Sequence, residues 1–293
     1  MTILVTGATG RVGRHVVQQL IDRGADVRVL VRDPAKADVP AGVEVAKGDL
    51  LDVDSLRAAF AGVRTLFLLN AVAGDEFTQA LIALNVAREG GVDRIVYLSV
   101  IHADRFVNVP HFAVKFGAER MIGQMGFSAT ILRPAYFIDN ELTIKDVITS
   151  HGVYPMPIGD KGLAMVDARD IGEVAAIELI RRDQAAGKPP NETINLVGPE
   201  ILTGSDVAAI WSDVLGRPVA YGGDDPTGLE QNLANVMPKW MAYEMRLMAE
   251  RFVSDGMLPE IGDVERLTDI LRRPLHAYRD FAAQVAAAAP PSV

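Results

Sequence analysis

Three glycines near the N-terminus have the spacing of a phosphate-binding loop. They follow a short β-branched apolar run, Thr2 to Thr6, and precede a helical pattern that continues to about Arg23. Gly7 can take the tight turn, Gly10 lets the backbone approach a pyrophosphate, and Gly13 permits close packing of the helix on the strand. Amide groups at the start of that helix favour a bound anion. We therefore expect the loop to bind a dinucleotide rather than to be a turn without a ligand.

The end of the second predicted strand bears on which dinucleotide is bound. An acidic residue there typically binds the ribose 2′-hydroxyl of NAD, whereas an arginine accommodates the 2′-phosphate of NADP. The strand ends at Arg32-Asp33, and Arg11 lies inside the glycine loop. Two guanidinium groups that converge on one phosphate would give charge-assisted hydrogen bonds. Alternatively, Arg32 is a solvated surface residue and Asp33 binds the ribose. We predict that NADP(H) is preferred over NAD(H).

Strand and helix patterns alternate through the first two-thirds of the chain. The predicted strands are 2–6, 26–31, 43–46, 65–69, 94–99, 128–132 and 193–197, and the predicted helices include 54–60, 76–89 and 111–125. Asp170 is predicted to cap a further helix, with Asp167 as another capping candidate. This alternation predicts an α/β fold, a Rossmann-type doubly wound parallel sheet with helices on both faces.

The pattern changes near the C-terminus. From Pro199 onward it is mostly helical, over 205–215, 238–251, 263–271 and 275–289. We expect a NAD(P)-binding Rossmann domain of residues 1–134 and 164–198, a smaller substrate-binding cap of 135–163 and 199–285, and a flexible tail of 286–293. The apolar cluster Met237, Trp240, Met241, Tyr243, Met245 and Met248 either lines an adaptable pocket or packs the cap.

The composition argues against several classes of function. The 293 residues carry a net charge of −9 without a basic face, which makes nucleic acid a poor partner. The chain has no cysteine, and its five histidines (His15, His102, His111, His151 and His276) lack metal-ligand spacing, so we expect no metal site. Because no signal peptide or apolar run of about 20 residues is present, we expect a cytoplasmic protein without membrane contact.

With these residues in hand, the chain resembles the NmrA-like branch of the atypical short-chain dehydrogenase/reductase family. The matching segments are TGATGRVG at 6–13, VLVRDP at 29–34, GDL at 48–50, KFGAE at 115–119, ATILRP at 129–134, VDARDIGEVAA at 166–176 and LTGSDVAAIWSDVLGRPV at 202–219. The resemblance extends to about residue 281. That branch contains NADPH-dependent reductases of quinones, dyes and plant phenolics, and also proteins that only sense the redox state of the cofactor.

The resemblance also implies where the cofactor lies. The glycine loop contributes Gly7, Thr9, Gly10, Arg11, Val12 and Gly13, and Arg32 follows the second strand. The other implied contacts are Asp49 and Leu50 at the adenine, Asn70 and Ala71 at the adenosine ribose and pyrophosphate, Ser99 and Val100 beside the nicotinamide half, and Pro134, Tyr136 and Phe137 at the nicotinamide. Alternatively, Leu50 is an ordinary core residue and Asn70 a turn residue.

Better-known members of the superfamily carry a Tyr-x-x-x-Lys pair, and here the equivalent stretch has His111 in place of the tyrosine and retains Lys115. Spacing of four on a helix places His111, Lys115 and Glu119 on one face. Lys115 would hold the nicotinamide ribose or polarise a substrate carbonyl, and His111 would give a proton, because histidine exchanges protons near neutral pH. Alternatively, these residues form a solvated stripe with a Lys115–Glu119 surface pair.

Together these features predict an NADPH-dependent reductase that passes hydride to a small, apolar, conjugated acceptor such as a quinone or enone. Such acceptors need little acid catalysis, which fits a site with a lysine and no tyrosine. The alternative is a non-catalytic NADP(H)-binding redox sensor that acts through a protein partner. Sugar-nucleotide isomerase or dehydratase chemistry is disfavoured by the missing tyrosine. We expect a monomer or homodimer.

Overall fold

The computed structural model describes residues 2–288. Its strands are β1 (Thr2–Val5), β2 (Val27–Val31), β3 (Glu44–Lys47), β4 (Val63–Leu68), β5 (Arg94–Leu98), β6 (Ser128–Pro134), β7 (Val153–Tyr154), β8 (Glu192–Leu196) and β9 (Ala220–Tyr221). Seven of them form one parallel sheet in the order β3-β2-β1-β4-β5-β6-β8. The strand order reverses between β1 and β4, where the crevice at the carboxyl ends of the strands accepts ligands in folds of this kind. The predicted Rossmann-type α/β fold is confirmed.

The helices are α1 (Arg11–Asp22), α2 (Val53–Phe60), α3 (Glu76–Glu89), α4 (Pro110–Gln124), α5 (Lys145–His151), α6 (Ala168–Gln184), α7 (Gly204–Leu215), α8 (Pro226–Leu233), α9 (Lys239–Asp255), α10 (Asp263–Leu271) and α11 (Tyr278–Ala288). A 3-10 segment, Ile138–Thr143, follows β6. Within residues 2–288, every helix is too short or too polar to cross a bilayer.

The sheet separates two hydrophobic cores because successive side chains of a strand point to opposite faces. In β1, Ile3 and Val5 belong to one core and Leu4 to the other. The first core also includes residues of α1 and α6, which approach closely at Gly172, where an added Cβ atom would lie 2.4 Å from Cβ of His15. The second core includes residues of α2, α3 and α4. Both faces of the sheet are therefore covered, as a buried parallel sheet requires.

The C-terminal helices extend the first core at one end of the sheet. Trp211 of α7, Phe252 of α9 and Tyr278 of α11 are buried in the same cluster as the sheet residues. A second, two-stranded parallel sheet pairs β7 with β9 and so joins the chain after β6 to the chain after α7. Helix α9 lies at the carboxyl edge of the large sheet, where its Phe252 packs edge-to-face with Tyr136, which follows β6.

The structure differs from the sequence predictions in several elements. The cap of α6 is Asp167, whose carboxylate accepts a hydrogen bond from the Arg169 amide, and not Asp170. Asp170 is buried instead, and pairs with Arg273 and His276 of the C-terminal region. Helices α5 and α8 and the short strands β7 and β9 were not predicted. Helix α11 continues three residues into the predicted tail, and residues 289–293 lie outside the described part of the chain.

Candidate functional site

The glycine loop has the geometry that its spacing predicts. Gly7 adopts a left-handed conformation with φ of 64°, and its carbonyl oxygen accepts a hydrogen bond of 2.9 Å from the Gly10 amide. A Cβ atom at Gly13 would lie only 2.1 Å from that same oxygen, so this position admits only glycine without movement of the backbone. Helix α1 begins directly after Gly10, and its first residues, Arg11 and Val12, line a cavity at the carboxyl edge of the sheet. The first amide groups of a helix have no partner within it.

Two adjoining cavities lie at the carboxyl edge of the sheet, and Gly10, Leu69 and Ala71 line both. The loop cavity has a volume of about 780 Å³ and lies between the glycine loop and the ends of β2 and β3. The aromatic cavity has a volume of about 540 Å³ and lies between the end of β6, α4 and α9. Together they form a cleft that crosses the sheet where the strand order reverses.

Most predicted site residues line this cleft. Gly7, Thr9, Gly10, Arg32, Asp49, Leu50 and Ala71 line the loop cavity. Gly10, Arg11, Val12, Asn70, Ala71, Ser99, His111, Lys115, Pro134, Tyr136 and Phe137 line the aromatic cavity. Gly13 lines neither cavity, because it lies behind the loop, where the absence of a side chain allows α1 to pack closely on Gly7.

Asn70 gives a direct test of whether a polar ligand fits the cleft. Its side chain is 4% exposed, and its amide nitrogen and oxygen both lack a hydrogen-bond partner within residues 2–288. A buried polar atom without a partner costs about 1–3 kcal/mol. Asn70 lines the aromatic cavity next to Ala71, beside the glycine loop. A ribose and phosphate at this point would satisfy both atoms, so the residues present fit a dinucleotide.

Arg11 and Arg32 do not converge, contrary to the sequence prediction. The Arg11 guanidinium donates a hydrogen bond of 2.6 Å to the carbonyl oxygen of Asp139, which turns it toward the aromatic cavity. Arg32 lines the loop cavity and has no hydrogen-bond or ion-pair partner among the described residues. The second cation near Arg32 is Lys36, which sequence reasoning missed.

Asp33 is engaged locally beside Arg32. Its carboxylate caps the short 3-10 turn Pro34–Lys36 by accepting a hydrogen bond from the Ala35 amide, and it lies 3.3 Å from Nζ of Lys36. The charged residues that line the loop cavity are thus two cations and two carboxylates, since Asp49 also lines it and accepts a hydrogen bond from the Leu51 amide. The arginine after β2 without a carboxylate partner, rather than the net charge, favours a phosphate over a bare ribose hydroxyl.

Lys115 is buried and paired across two helices. Its Nζ atom lies 2.8 Å from Oε1 of Glu76 at the start of α3. Burial raises the pKa of Glu76 above its usual range, and the Lys115 ammonium opposes that shift only in part. The solvated stripe with a Lys115–Glu119 pair is wrong, because Glu119 instead binds Arg133 through both oxygens and accepts a hydrogen bond from Ser99.

His111 is also buried rather than exposed. Its Nδ1 atom lies 2.7 Å from Oε1 of Glu244 on α9, and its backbone amide donates to the same oxygen. The ring stacks on Phe112, with 4.7 Å between centroids. Within the described residues, Nε2 of His111 makes no hydrogen bond. The two residues that sequence reasoning missed here, Glu76 and Glu244, give no local signal because each is distant in the sequence from its partner.

Aromatic and sulfur-containing side chains form the wall of the aromatic cavity. Phe112, Tyr136, Met248, Phe252 and Met257 line it. Of the methionine-rich cluster, only Met248 faces the cavity, whereas Trp240 and Tyr243 are exposed. Phe252 and Met257 were not predicted. Helix α9 directs Met248 and Phe252 to the same side because they are four residues apart. The result is an apolar slot beside two buried polar pairs.

The fold and this cleft define a dinucleotide-binding α/β protein. A model of the NmrA-like family matches residues 1–276. The chain therefore belongs to the NmrA-like family, and the family predicted from the sequence is confirmed.

Three similar proteins have established descriptions. The NAD(P)H azoreductase of Xenophilus azovorans is 31% identical over 296 residues, which cover 98% of each chain. The NADPH-dependent quinone oxidoreductase of Escherichia coli, solved with NADPH, has a TM-score of 0.85 and 26% identity, over 97% of this chain and 99% of that chain. The triphenylmethane reductase of Citrobacter sp., solved with NADP(H), has a TM-score of 0.83 and 25% identity, over 97% of this chain and 99% of that chain. These likenesses agree with the predicted NADP(H)-dependent reductase.

Proposed function

We propose that the protein is an NADPH-dependent reductase that transfers hydride to a small conjugated acceptor such as a quinone or an enone. The observation that carries the proposal is the aromatic cavity, an open apolar slot that adjoins the glycine loop and contains Lys115 and His111. The cavity extends from the end of β6, where the nicotinamide would lie, to Met248 and Phe252 of α9, and this second, apolar side would accommodate an acceptor beside the cofactor.

The cofactor assignment rests on residues at both ends of the cleft. The glycine loop and the start of α1 would hold the pyrophosphate. The side-chain amide of Asn70, which lacks a partner among residues 2–288, would form hydrogen bonds with the cofactor. Arg32 and Lys36 would bind the 2′-phosphate of NADP(H), because they are the cations that line the loop cavity. When bound, NADPH supplies the hydride. Of the three relatives named above, one is an NAD(P)H azoreductase and the other two were solved with NADPH or NADP(H), which supports this choice.

The residues of the aromatic cavity would orient and desolvate the acceptor. Phe112, Tyr136 and Phe252 offer flat apolar faces to a conjugated ring, and Met248 and Met257 adapt to its outline. Correct orientation alone can contribute effective molarities of about 10⁵ M or more. Lys115 would then stabilise negative charge on the acceptor oxygen and His111 would supply a proton. This division of roles suits an electron-poor acceptor that needs little acid catalysis.

The test is NADPH oxidation by the purified protein with a panel of benzoquinones, naphthoquinones and cyclic enones, followed by NADPH absorbance. We expect turnover with several of them and a lower rate with NADH. A Met248→Trp variant, which fills the cavity, should abolish turnover while NADPH binding remains. Tight NADPH binding without oxidation by any acceptor would reject the reductase and leave the redox sensor as the better proposal.

A further inference from the structure

The contact between His111 and Glu244 joins two distant elements at the cleft. His111 is the second residue of α4, whereas Glu244 lies on α9, 133 residues later. Both side chains are buried, at 8% and 3% exposure. One carboxylate oxygen accepts from both the backbone amide and the ring Nδ1 of His111. These two hydrogen bonds from His111 to one oxygen fix the orientation of the His111 ring and of the Glu244 carboxylate.

The chemistry of a carboxylate determines which ring nitrogen carries the hydrogen. A carboxylate only accepts hydrogen bonds, so Nδ1 of His111 must donate. In the neutral ring Nε2 is then the acceptor, and in the protonated ring Nε2 carries the proton that can be given away. Nε2 is also the nitrogen without a partner among residues 2–288. The contact with Glu244 thus leaves Nε2 of His111 able to give a proton without rotation of the ring.

Helix α9 couples this contact to the acceptor slot. Glu244, Met248 and Phe252 are spaced by four residues and therefore lie along one face of the helix. Met248 and Phe252 line the aromatic cavity, and Glu244 lies one turn before Met248, against His111. The face that shapes the slot is therefore the face that orients the histidine.

We propose that Glu244 is a positioning residue, which holds His111 as the Nδ1–H tautomer so that Nε2 delivers the proton to the reduced acceptor. The inference rests on the function proposed above. Reduction of an enone or quinone adds one hydride, which the proposed cofactor supplies, and one proton. The proton passes from Nε2 of protonated His111 to the acceptor anion, and the ring is left neutral with its Nδ1–H still on Glu244. Water then returns a proton to Nε2.

The first test needs neither cofactor nor acceptor. Side-chain ¹⁵N NMR of the purified protein distinguishes the two neutral histidine tautomers. Comparison with a His111→Asn variant assigns the His111 signals. We expect His111 to be the Nδ1–H tautomer in the wild type and to lose this preference in Glu244→Met, whose side chain offers Nδ1 no oxygen acceptor. The matched control is Glu250→Met on the same helix, since the Glu250 carboxylate pairs with Arg246 instead. A wild-type His111 in the Nε2–H form would overturn the proposal.

The second test is a double-mutant cycle on enone or quinone reduction. Glu244→Met should lower kcat about 10-fold with little change in KM, and His111→Asn should lower it about 100-fold, within the range for general acid catalysis. Asparagine keeps a donor for Glu244 but has no proton to give. If Glu244 acts only through His111, adding Glu244→Met to His111→Asn should have almost no further effect.

Each remaining outcome decides a different claim. An equal loss from Glu244→Met in both backgrounds would mean that Glu244 serves only packing, and would overturn the positioning role. Wild-type turnover that Glu244→Met leaves unchanged would also overturn it while the proposed function stands. If no acceptor supports NADPH oxidation by the wild type, the proposed function is rejected, and the positioning role is rejected with it.

Discussion

Nζ of Lys115 lies 2.8 Å from Oε1 of Glu76, and this ion pair is buried between the start of α3 and the middle of α4. The two side chains are 8% and 2% exposed. Removing both charges from water is costly, and a buried pair of this kind often contributes no net stability. The pair instead holds the Lys115 ammonium group in one orientation at the wall of the aromatic cavity, and the desolvation of both charges costs free energy. This arrangement supports the role proposed for Lys115 at the acceptor oxygen.

Removal of the lysine alone should therefore destabilise the protein. Lys115→Met leaves Glu76 buried without its partner, and breaking one side of a buried pair costs about 3–5 kcal/mol. The double variant Lys115→Met/Glu76→Gln removes both charges at similar volume and should recover most of that loss. Urea unfolding of the wild type and the two variants measures the difference. Reductase activity should stay low in the double variant, because its fold is restored but its cation is not. Recovery of activity with stability would show that Lys115 is structural.

The features that sequence reasoning predicted are local ones. The glycine loop, the alternating strands and the helix of His111 and Lys115 each depend on neighbouring residues, and the structure places them with ends shifted by one or two residues. Glycine spacing fixes a turn geometry, and apolar runs of four to six residues fix buried parallel strands, without any information from distant segments.

The partners of the site residues could not be predicted in the same way. Spacing on one helix suggested Glu119 for Lys115, but Arg133 on β6 offers Glu119 a two-pronged contact that a lysine cannot match. The partner of Lys115 is instead Glu76, 39 residues away in the sequence, and the partner of His111 is Glu244. The convergence of Arg11 and Arg32 failed for the same reason, because the Asp139 carbonyl that holds Arg11 belongs to a segment that only the fold brings near.

Replacement of Arg32 should change the choice of cofactor. One charge-assisted hydrogen bond contributes about 1.5–3 kcal/mol, so Arg32→Ala should raise the Kd for NADPH roughly 10- to 100-fold. The Kd for NADH should hardly change, since that molecule has no 2′-phosphate. Titrations followed by calorimetry or fluorescence measure both constants. Arg14→Ala, at an exposed arginine of α1 that lines neither cavity, is the matched control. An equal loss for both cofactors would show that Arg32 does not recognise the phosphate.

A methyl group at the third glycine should disturb the loop. In Gly13→Ala the new Cβ atom would lie 2.1 Å from the Gly7 carbonyl oxygen, which is backbone and cannot rotate away. Overpacking of this kind costs about 1–3 kcal/mol, and the displaced loop should lose most of its affinity for NADPH. Gly123→Ala, in α4 where the added Cβ would meet no atom within 4 Å beyond the backbone of its own helix and its chain neighbours, should instead leave stability equal or slightly higher. Thermal unfolding with and without NADPH distinguishes the two variants. Unchanged NADPH binding in Gly13→Ala would contradict the packing argument.

A buried carboxyl behind the aromatic cavity should make stability depend on pH. Glu141, in the 3-10 segment Ile138–Thr143, is 1% exposed and accepts hydrogen bonds from the hydroxyl groups of Tyr154 at 3.1 Å and Tyr278 at 3.2 Å. Its neighbours are phenols rather than cations, with Tyr136 as the third. Burial raises the pKa of Glu141 from 4.5 to about 7, and the hydrogen bonds offset that shift only in part.

The sign of the effect follows from the protons bound in each state. Between pH 4.5 and 7 the folded protein keeps a proton on Glu141 that the unfolded chain has lost, so the free energy of unfolding falls as the pH rises through this window. A shift of this size corresponds to roughly 3 kcal/mol, since one pKa unit equals about 1.4 kcal/mol. Glu141→Gln keeps the shape and an acceptor oxygen but cannot ionise, so its stability should lack this decline and exceed that of the wild type most clearly at pH 8. Urea unfolding from pH 5 to pH 8 measures both curves, with the exposed Glu200→Gln as the control. Parallel curves for wild type and Glu141→Gln would mean that Glu141 stays in one protonation state throughout.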